Sequence, residues 1–137
     1  MRILAIDYGT KRMGVAISDE MKIIAQPLLY LPSQPFDQFV ARLKEIIREK
    51  EVELIVVGLP RNMDGSYGPA ALKVQEFVAV LKDAVTIPIQ TLDERLTSVQ
   101  ANRFLTEAEL GGRRRKEKVD KSAAAVLLQG YLDGRTG

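Results

Sequence analysis

The stretch RILAIDYGTKRMGVAIS, residues 2–18 of the 137-residue chain, decides the fold. Residues 3–6 form a short apolar run that ends at Asp7, and residues 8–12 have the composition of a turn. Residues 13–18 form a second apolar run. Two strands this close in sequence pair antiparallel, because parallel neighbours need a long crossover connection. The stretch therefore predicts a hairpin with an acidic residue at the end of its first strand.

The rest of the chain predicts one more antiparallel strand, followed by alternating helices and strands. Apolar residues recur at three- and four-residue steps from Phe36 to Ile47, which is typical of an amphipathic helix with Pro35 in its first turn. The wholly apolar run 54–57 indicates a strand covered on both faces, and Pro88 places the last strand at a sheet edge. The predicted strands are 3–6, 13–18, 23–31, 54–57 and 87–91, and the predicted helices are 36–47, 69–81, 97–105 and 122–132. This β-β-β-α-β-α-β-α-α order predicts an α/β fold, a mixed five-stranded sheet with helices on both faces.

Two residue types are absent, and their absence restricts the chemistry. The chain contains no Cys, which excludes disulfides, a thiolate nucleophile and zinc–sulfur sites. It contains no His, which excludes imidazole both as a general base and as a metal ligand. Catalysis by this chain must therefore use carboxylates, hydroxyls, Lys, Arg, Tyr or the backbone, with or without a hard cation held by oxygen atoms.

The length and hydropathy of the chain predict one domain over residues 1–137. No apolar run approaches the roughly 20 residues that a membrane span requires. The first apolar run meets Asp7 too early for the core of a signal peptide. We therefore expect a cytoplasmic protein with no membrane partner.

Acidic residues stand at the ends of the predicted elements. Asp7 ends the first strand, Asp93 and Glu94 follow the last strand, and Asp120 precedes the closing helix. Side chains beyond the carboxyl ends of strands gather at one edge of an α/β sheet. Converging carboxylates repel each other unless a cation binds them, and Mg²⁺ and Mn²⁺ prefer such oxygen ligands. Each acid also has a structural alternative, since Asp7 can stabilise a turn and the others can cap helices.

A basic segment precedes the closing helix. Between positions 113 and 121 there are six basic and two acidic residues, a local net charge of +4 in a chain whose total is +2. Such a run is often only a solvated loop, but here it adjoins Asp120, so it could bind the phosphates of a nucleic acid. Gly111 and Gly112 before it predict a mobile segment that becomes ordered on its ligand.

Four segments resemble one family over nearly the whole chain, in the right order. They are residues 6–16 (IDYGTKRMGVA), 57–65 (VGLPRNMDG), 93–98 (DERLTS) and 118–124 (KVDKSAA). In these segments the chain resembles the YqgF family, also called RuvX, of pre-16S rRNA nucleases related to Holliday-junction resolvases. The resemblance implies an RNase H-like fold and a nuclease that acts on the 5′ end of pre-16S rRNA during ribosome biogenesis.

The resemblance also implies an acidic triad at Asp7, Glu94 and Asp120, with Asp93 in reserve if side-chain alternation points Glu94 away. We expect these acids to bind one or two Mg²⁺ or Mn²⁺ ions, with Asp7 shared between them, for hydrolysis of a phosphodiester. The residues expected to bind the nucleic acid are Thr10, Lys11, Arg12, Arg61, Asn62, Arg95, Arg113, Arg114, Arg115, Lys116 and Lys118.

Three other functions stay open on the sequence. The first is a resolvase of four-way junctions or other branched DNA, which would need two active sites and hence a dimer, although the sequence identifies no dimer surface. The second is an RNA-binding assembly factor without catalysis. The third is a nucleotide-binding domain, because residues 7–10 (DYGT) also resemble the phosphate loop of actin-like folds, although the chain has no Walker A sequence.

Overall fold

Five strands form one mixed sheet, in the order β3-β2-β1-β4-β5, in a computed structural model of the protein. The structure describes residues 1–60, 64–93 and 112–135, and within the last segment the side chains of residues 123–134. The strands are β1 (Arg2–Asp7), β2 (Arg12–Ser18), β3 (Ala25–Pro32), β4 (Val52–Leu59) and β5 (Ile89–Asp93). The helices in these ranges are α1 (Phe36–Glu49), α2 (Pro69–Ala84) and α3 (Gly112–Arg135).

Strand β1 lies at the centre of the sheet. It pairs antiparallel with β2, where Asp7 lies opposite Gly14, and parallel with β4, where Ile6 lies opposite Val57. Strand β3 extends the meander on one side, and β5 pairs parallel with β4 on the other. The predicted meander, the crossover strands and the edge position of the last strand are therefore confirmed.

The side chains of β1 alternate between two cores. Leu4 and Ile6 lie in a core that also contains the buried faces of α1 and α2. Ile3 and Ala5 lie in a second core, which contains the buried residues of α3. All four side chains are almost completely buried, because helices cover both faces of the sheet, as the sequence predicts.

Helix α3 differs most from the prediction. It begins at Gly112 and not at residue 122, so the basic segment and Asp120 lie within the helix. The predictions of a mobile basic loop and of Asp120 at the helix cap are therefore wrong. Arg, Lys and Glu are strong helix formers, so the segment continues the helix that the alanines after it favour. Within the described residues, no helix combines the length and apolarity of a membrane span.

The end of β5 and the start of α1 also differ from the prediction. Strand β5 ends at Asp93, two residues later than predicted, so Asp93 is the last residue of the strand and does not follow it. Pro88 precedes the strand, and its carbonyl accepts a hydrogen bond from the Ile55 N–H at 3.1 Å. Pro35 lies directly before α1 and not in its first turn. The predicted helix at 97–105 lies outside the described residues.

The packing of α3 gives a first prediction. Leu128 is fully buried against the sheet (0% exposed), so Leu128→Ala should lower the free energy of unfolding by about 2–5 kcal/mol through lost burial and a cavity. Leu72→Ala is the matched control, because Leu72 lies on α2 with 55% of its surface exposed and should change stability by less than about 0.5 kcal/mol. Urea denaturation of both variants measures the difference, and equal losses would contradict the assignment of α3 to the core.

Candidate active site

Asp7 lies at the carboxyl end of the central strand and is half-buried. Gly14, its partner on β2, carries no side chain that would come between it and Tyr30. A Cβ at Gly14 would lie 3.5 Å from the Asp7 Cβ and 3.2 Å from Cε1 of Tyr30. Asp7 and Tyr30 therefore flank Gly14 on the same face of the sheet, the face that α3 covers, and a side chain at position 14 would press first on the Tyr30 ring.

The turn after Asp7 is held by close backbone contacts. A Cβ at Gly9 would lie only 2.2 Å from the carbonyl oxygen of Arg12, so the turn excludes any side chain there. The buried Ser33 fixes the turn from the end of β3. Its hydroxyl donates to the Gly9 carbonyl at 2.6 Å, and its N–H donates to the Lys11 carbonyl at 3.0 Å. Asp7 is thus followed by a chain segment of defined shape.

Cationic and hydroxyl side chains surround this edge of the sheet. Thr10 and Lys11 are exposed in the turn after Asp7, and Arg12 is exposed at the start of β2. The Arg12 guanidinium lies 4.4 Å from the ring centre of Tyr30, a cation–π contact. Because Arg12 is two residues from Gly14 on the same strand, this contact holds its charge on the face to which Asp7 belongs.

Asp93 lies on the other face of the sheet. Leu92 packs against the core that contains α3, and Ile89 packs against the core that contains α1 and α2. Since successive side chains in a strand point to opposite faces, the position of Asp93 has the parity of Ile89 and not that of Asp7. The structure therefore does not bring these two carboxylates to one face, which argues against Asp93 as the reserve ligand.

The other predicted site residues are described only in part. Position 120 is in α3, eight residues after Gly112, and its side chain lies outside the described residues. The same holds for the basic side chains at positions 113–118. Glu94, Arg61, Asn62 and Arg95 lie outside the described residues altogether. Among the side chains that are described, no three acids come together in a metal-binding group.

The structure adds residues to the candidate site that the sequence analysis did not predict. A cavity of about 370 Å³ adjoins Asp7, and the first turn of α2 lines its opposite side. Pro69, Ala70 and the exposed Lys73 contribute that wall. The signal was present in the sequence, because a helix that follows a parallel strand begins at the carboxyl edge of the sheet. Residues of the first turn of α2 should therefore lie near Asp7.

The order of the strands, together with the match to solved structures over the full length of the chain, defines the fold class of the protein. Over 100% of this chain and 97% of the other, the fold matches "T. thermophilus RuvC in complex with Holliday junction substrate", with a TM-score of 0.56 and 17% identity. A fowlpox virus resolvase in complex with a Holliday junction matches with a TM-score of 0.51 and 10% identity over both full chains. The chain has the RNase H-like fold that the resemblance implies.

Within that class, the chain belongs to the RuvX family. The family, described as "Holliday junction resolvase", matches residues 1–134. A relative from Syntrophomonas wolfei is 48% identical over 134 residues, 98% of this chain and 95% of the relative, and is named "Putative pre-16S rRNA nuclease". A relative of the same name from Thermoanaerobacter pseudethanolicus is 48% identical over 136 residues, 98% of each chain. The family predicted from the sequence is confirmed.

The close contact at Gly9 gives a second prediction. Gly9→Ala should lower the free energy of unfolding by about 1–3 kcal/mol, because the new Cβ overlaps a backbone oxygen that cannot move without distorting the turn. Gly134→Ala is the matched control, since nothing lies within 4 Å of a Cβ there and alanine favours the helix. Guanidinium denaturation compares the two, and a Gly9→Ala variant as stable as wild type would show that the turn tolerates a side chain.

Proposed function

We propose that this chain is a cytoplasmic, divalent-metal-dependent nuclease of one domain, residues 1–137, that hydrolyses phosphodiester bonds and processes the 5′ end of pre-16S rRNA. The observation that carries the proposal is Asp7, held at the carboxyl end of the central strand of an RNase H-like sheet in a member of the RuvX family. Asp7 adjoins a cavity and exposed cations, the surroundings that a phosphodiester and its counterions need.

The donor atoms at this edge suit Mg²⁺ or Mn²⁺. The chain has neither His nor Cys, and the carboxylate oxygens that it does have are the ligands that these ions prefer. The half-buried Asp7 would hold the ion. A bound divalent cation supplies positive charge next to the phosphodiester that is cut and makes a dedicated histidine base unnecessary.

The course of α3 supports Asp120 as a second ligand. Gln129 accepts a hydrogen bond from the Ala25 N–H at 2.9 Å. Ala25 pairs with Ser18 near the start of β1, at the end of the sheet opposite Asp7. Residues 123–125, 127 and 128, which precede Gln129, are buried, so the helix crosses the sheet before it reaches that end. Nine residues of helix rise about 13 Å, and the strand from Ile3 to Asp7 spans about the same length. The backbone at position 120 is thus expected near the level of Asp7.

Glu94 completes the proposed triad. Its support is indirect: Asp93, the neighbouring acid, has the parity of the face away from Asp7. Thr10, Lys11 and Arg12 would bind phosphates of the substrate from the turn after Asp7 and the start of β2. The remaining proposed contacts to the nucleic acid are Arg61, Asn62, Arg95 and the basic segment of α3, which comprises Arg113, Arg114, Arg115, Lys116 and Lys118.

The names of the relatives favour RNA as the substrate, and the description of the family favours a second candidate. Relatives 43–48% identical carry the name of a pre-16S rRNA nuclease. The family itself is described as a Holliday junction resolvase, which makes branched DNA the alternative substrate. A third outcome, an RNA-binding assembly factor, would show binding that persists in EDTA without any cleavage products.

A third prediction tests the acid at the centre of the proposal. Asp7→Asn should reduce metal-dependent cleavage of precursor 16S rRNA by more than about 100-fold, because the loss of even an outer partner of a metal ligand typically costs 10- to 100-fold. The rate of product formation is measured with Mg²⁺ and with Mn²⁺, with EDTA as the blank. Asp83→Asn is the matched control, because Asp83 is exposed in the last turn of α2, at the end of the helix remote from Asp7.

The same assay distinguishes the substrates. Wild-type protein is incubated with precursor 16S rRNA and with a synthetic four-way DNA junction, each with both metals. Faster cleavage of the rRNA supports the proposal, and faster cleavage of the junction supports the resolvase. Undiminished cleavage by Asp7→Asn would remove this edge of the sheet from consideration.

A further inference from the structure

A groove leads away from Asp7 along α2. The cavity beside Asp7 adjoins a second cavity of about 490 Å³, and the two share Tyr8, Thr10 and Lys73 as lining residues. The second cavity extends along α2 as far as Val80. From Lys73 to Val80 the helix rises about 10 Å. We call the two cavities together the α2 groove; it is continuous with the proposed active site.

One wall of the α2 groove consists of aromatic rings. Tyr8, Phe36 and Phe77 line the second cavity. The ring centres of Tyr8 and Phe77 are 5.2 Å apart, and those of Phe36 and Phe77 are 6.1 Å apart. Phe39 packs behind them, with ring centres 6.0 Å from Phe36 and 5.8 Å from Phe77. The rings that face the groove are therefore held in place by their neighbours before any ligand binds.

The charges of the groove are arranged along its length. The exposed Lys73 lies where the two cavities meet, next to the end that contains Asp7. Gln34 and Glu76 line only the second cavity. The carboxylate of Glu76 repels a phosphate but accepts hydrogen bonds from the amino groups of bases. A phosphate therefore fits the Lys73 end, and an uncharged ring with polar edges fits the far end.

We propose that the α2 groove binds one unpaired nucleotide of the substrate strand, next to the phosphodiester that is cut. Lys73 would contact its phosphate, and the faces of Tyr8 and Phe36 would stack on its base. This inference rests on the proposed nuclease function and adds a substrate class to it, a strand with an unpaired nucleotide beside the cleavage position. Only an unpaired base exposes its face for stacking on a protein ring, since paired bases are stacked on each other.

A fourth prediction tests the stacking. In the Asp7→Asn background, Phe36→Leu should weaken the binding of a short single-stranded RNA of mixed sequence by about 5- to 150-fold, the range that loss of one base–aromatic stack produces. Leucine keeps the groove apolar but has no ring face. Binding of the same RNA fully paired to its complement should not change. Fluorescence anisotropy of the labelled RNA measures both affinities.

The chain supplies a matched control in the same ring cluster. Phe39 is buried (2% exposed) and does not line the groove, so Phe39→Leu should leave the affinity for single-stranded RNA unchanged. Circular dichroism verifies that both variants are folded. Equal effects of Phe36→Leu on single-stranded and paired RNA, or equal effects of the two Phe variants, would overturn the proposal.

Lys73 is tested by the salt dependence of binding. Lys73→Ala should reduce the slope of log affinity against log salt concentration for single-stranded RNA by about 0.7, the value for one lost phosphate contact. Lys82→Ala removes the same charge nine residues further along α2, outside the groove, and should leave the slope unchanged. An unchanged slope for Lys73→Ala would remove this lysine from the site.

Failure of this inference can be distinguished from failure of the nuclease proposal. If wild-type protein cleaves RNA while the Phe36 and Lys73 variants bind and cleave as it does, the groove is not the binding site and the nuclease stands. If the variants lose affinity as expected but wild-type protein never forms products, the groove binds an unpaired nucleotide and the nuclease proposal fails.

Discussion

The burial of β1 between two helical layers is the interaction on which the rest of the structure depends. Its side chains Leu4 and Ile6 pack with α1 and α2, and its side chains Ile3 and Ala5 pack with α3. Both sets exclude water almost completely. Because a strand with no polar face can lie only inside such a sandwich, β1 fixes the centre of the sheet, and with it the positions of its neighbours β2 and β4.

The same constraint positions the candidate site. Asp7 is the first charged residue after the buried part of β1, so it emerges at the point where the two cores end. The turn that follows has a fixed shape, because there is no space for a side chain at Gly9 and the Ser33 hydroxyl donates a hydrogen bond to the Gly9 carbonyl. The backbone on both sides of Asp7 is therefore fixed, by the buried strand before it and by the turn after it. The stability of the core and the geometry of the site are therefore properties of one strand.

The surroundings of Asp7 differ on the two sides of the sheet. On the α3 side, Gly14 carries no side chain and the Arg12–Tyr30 pair supplies charge. On the α2 side, packed aromatic rings and Lys73 form a groove. The α2 groove suits a ligand with two chemically different parts, and a nucleotide is such a ligand, with a phosphate for Lys73 and a base for the rings. The groove also gives a physical reason to expect a preference for nucleic-acid strands with an unpaired nucleotide. Family membership alone does not supply such a reason.

The sequence by itself determined the strand order along the chain, the meander, the edge position of β5 and the place of Asp7, because these follow from local hydrophobic periodicity and from the length of connections. It also determined the family, through motifs spread over nearly the whole chain. Local patterns did not reveal that the basic segment belongs to α3, since a run of charges is equally compatible with a solvated loop. Only the tertiary structure decided that Asp93 has the parity of the face away from Asp7, and that Lys73 and the rings of Tyr8 and Phe36 line one groove. These positions relate residues that are far apart in sequence. They are determined by strand register and helix packing, which the sequence around each residue does not reveal.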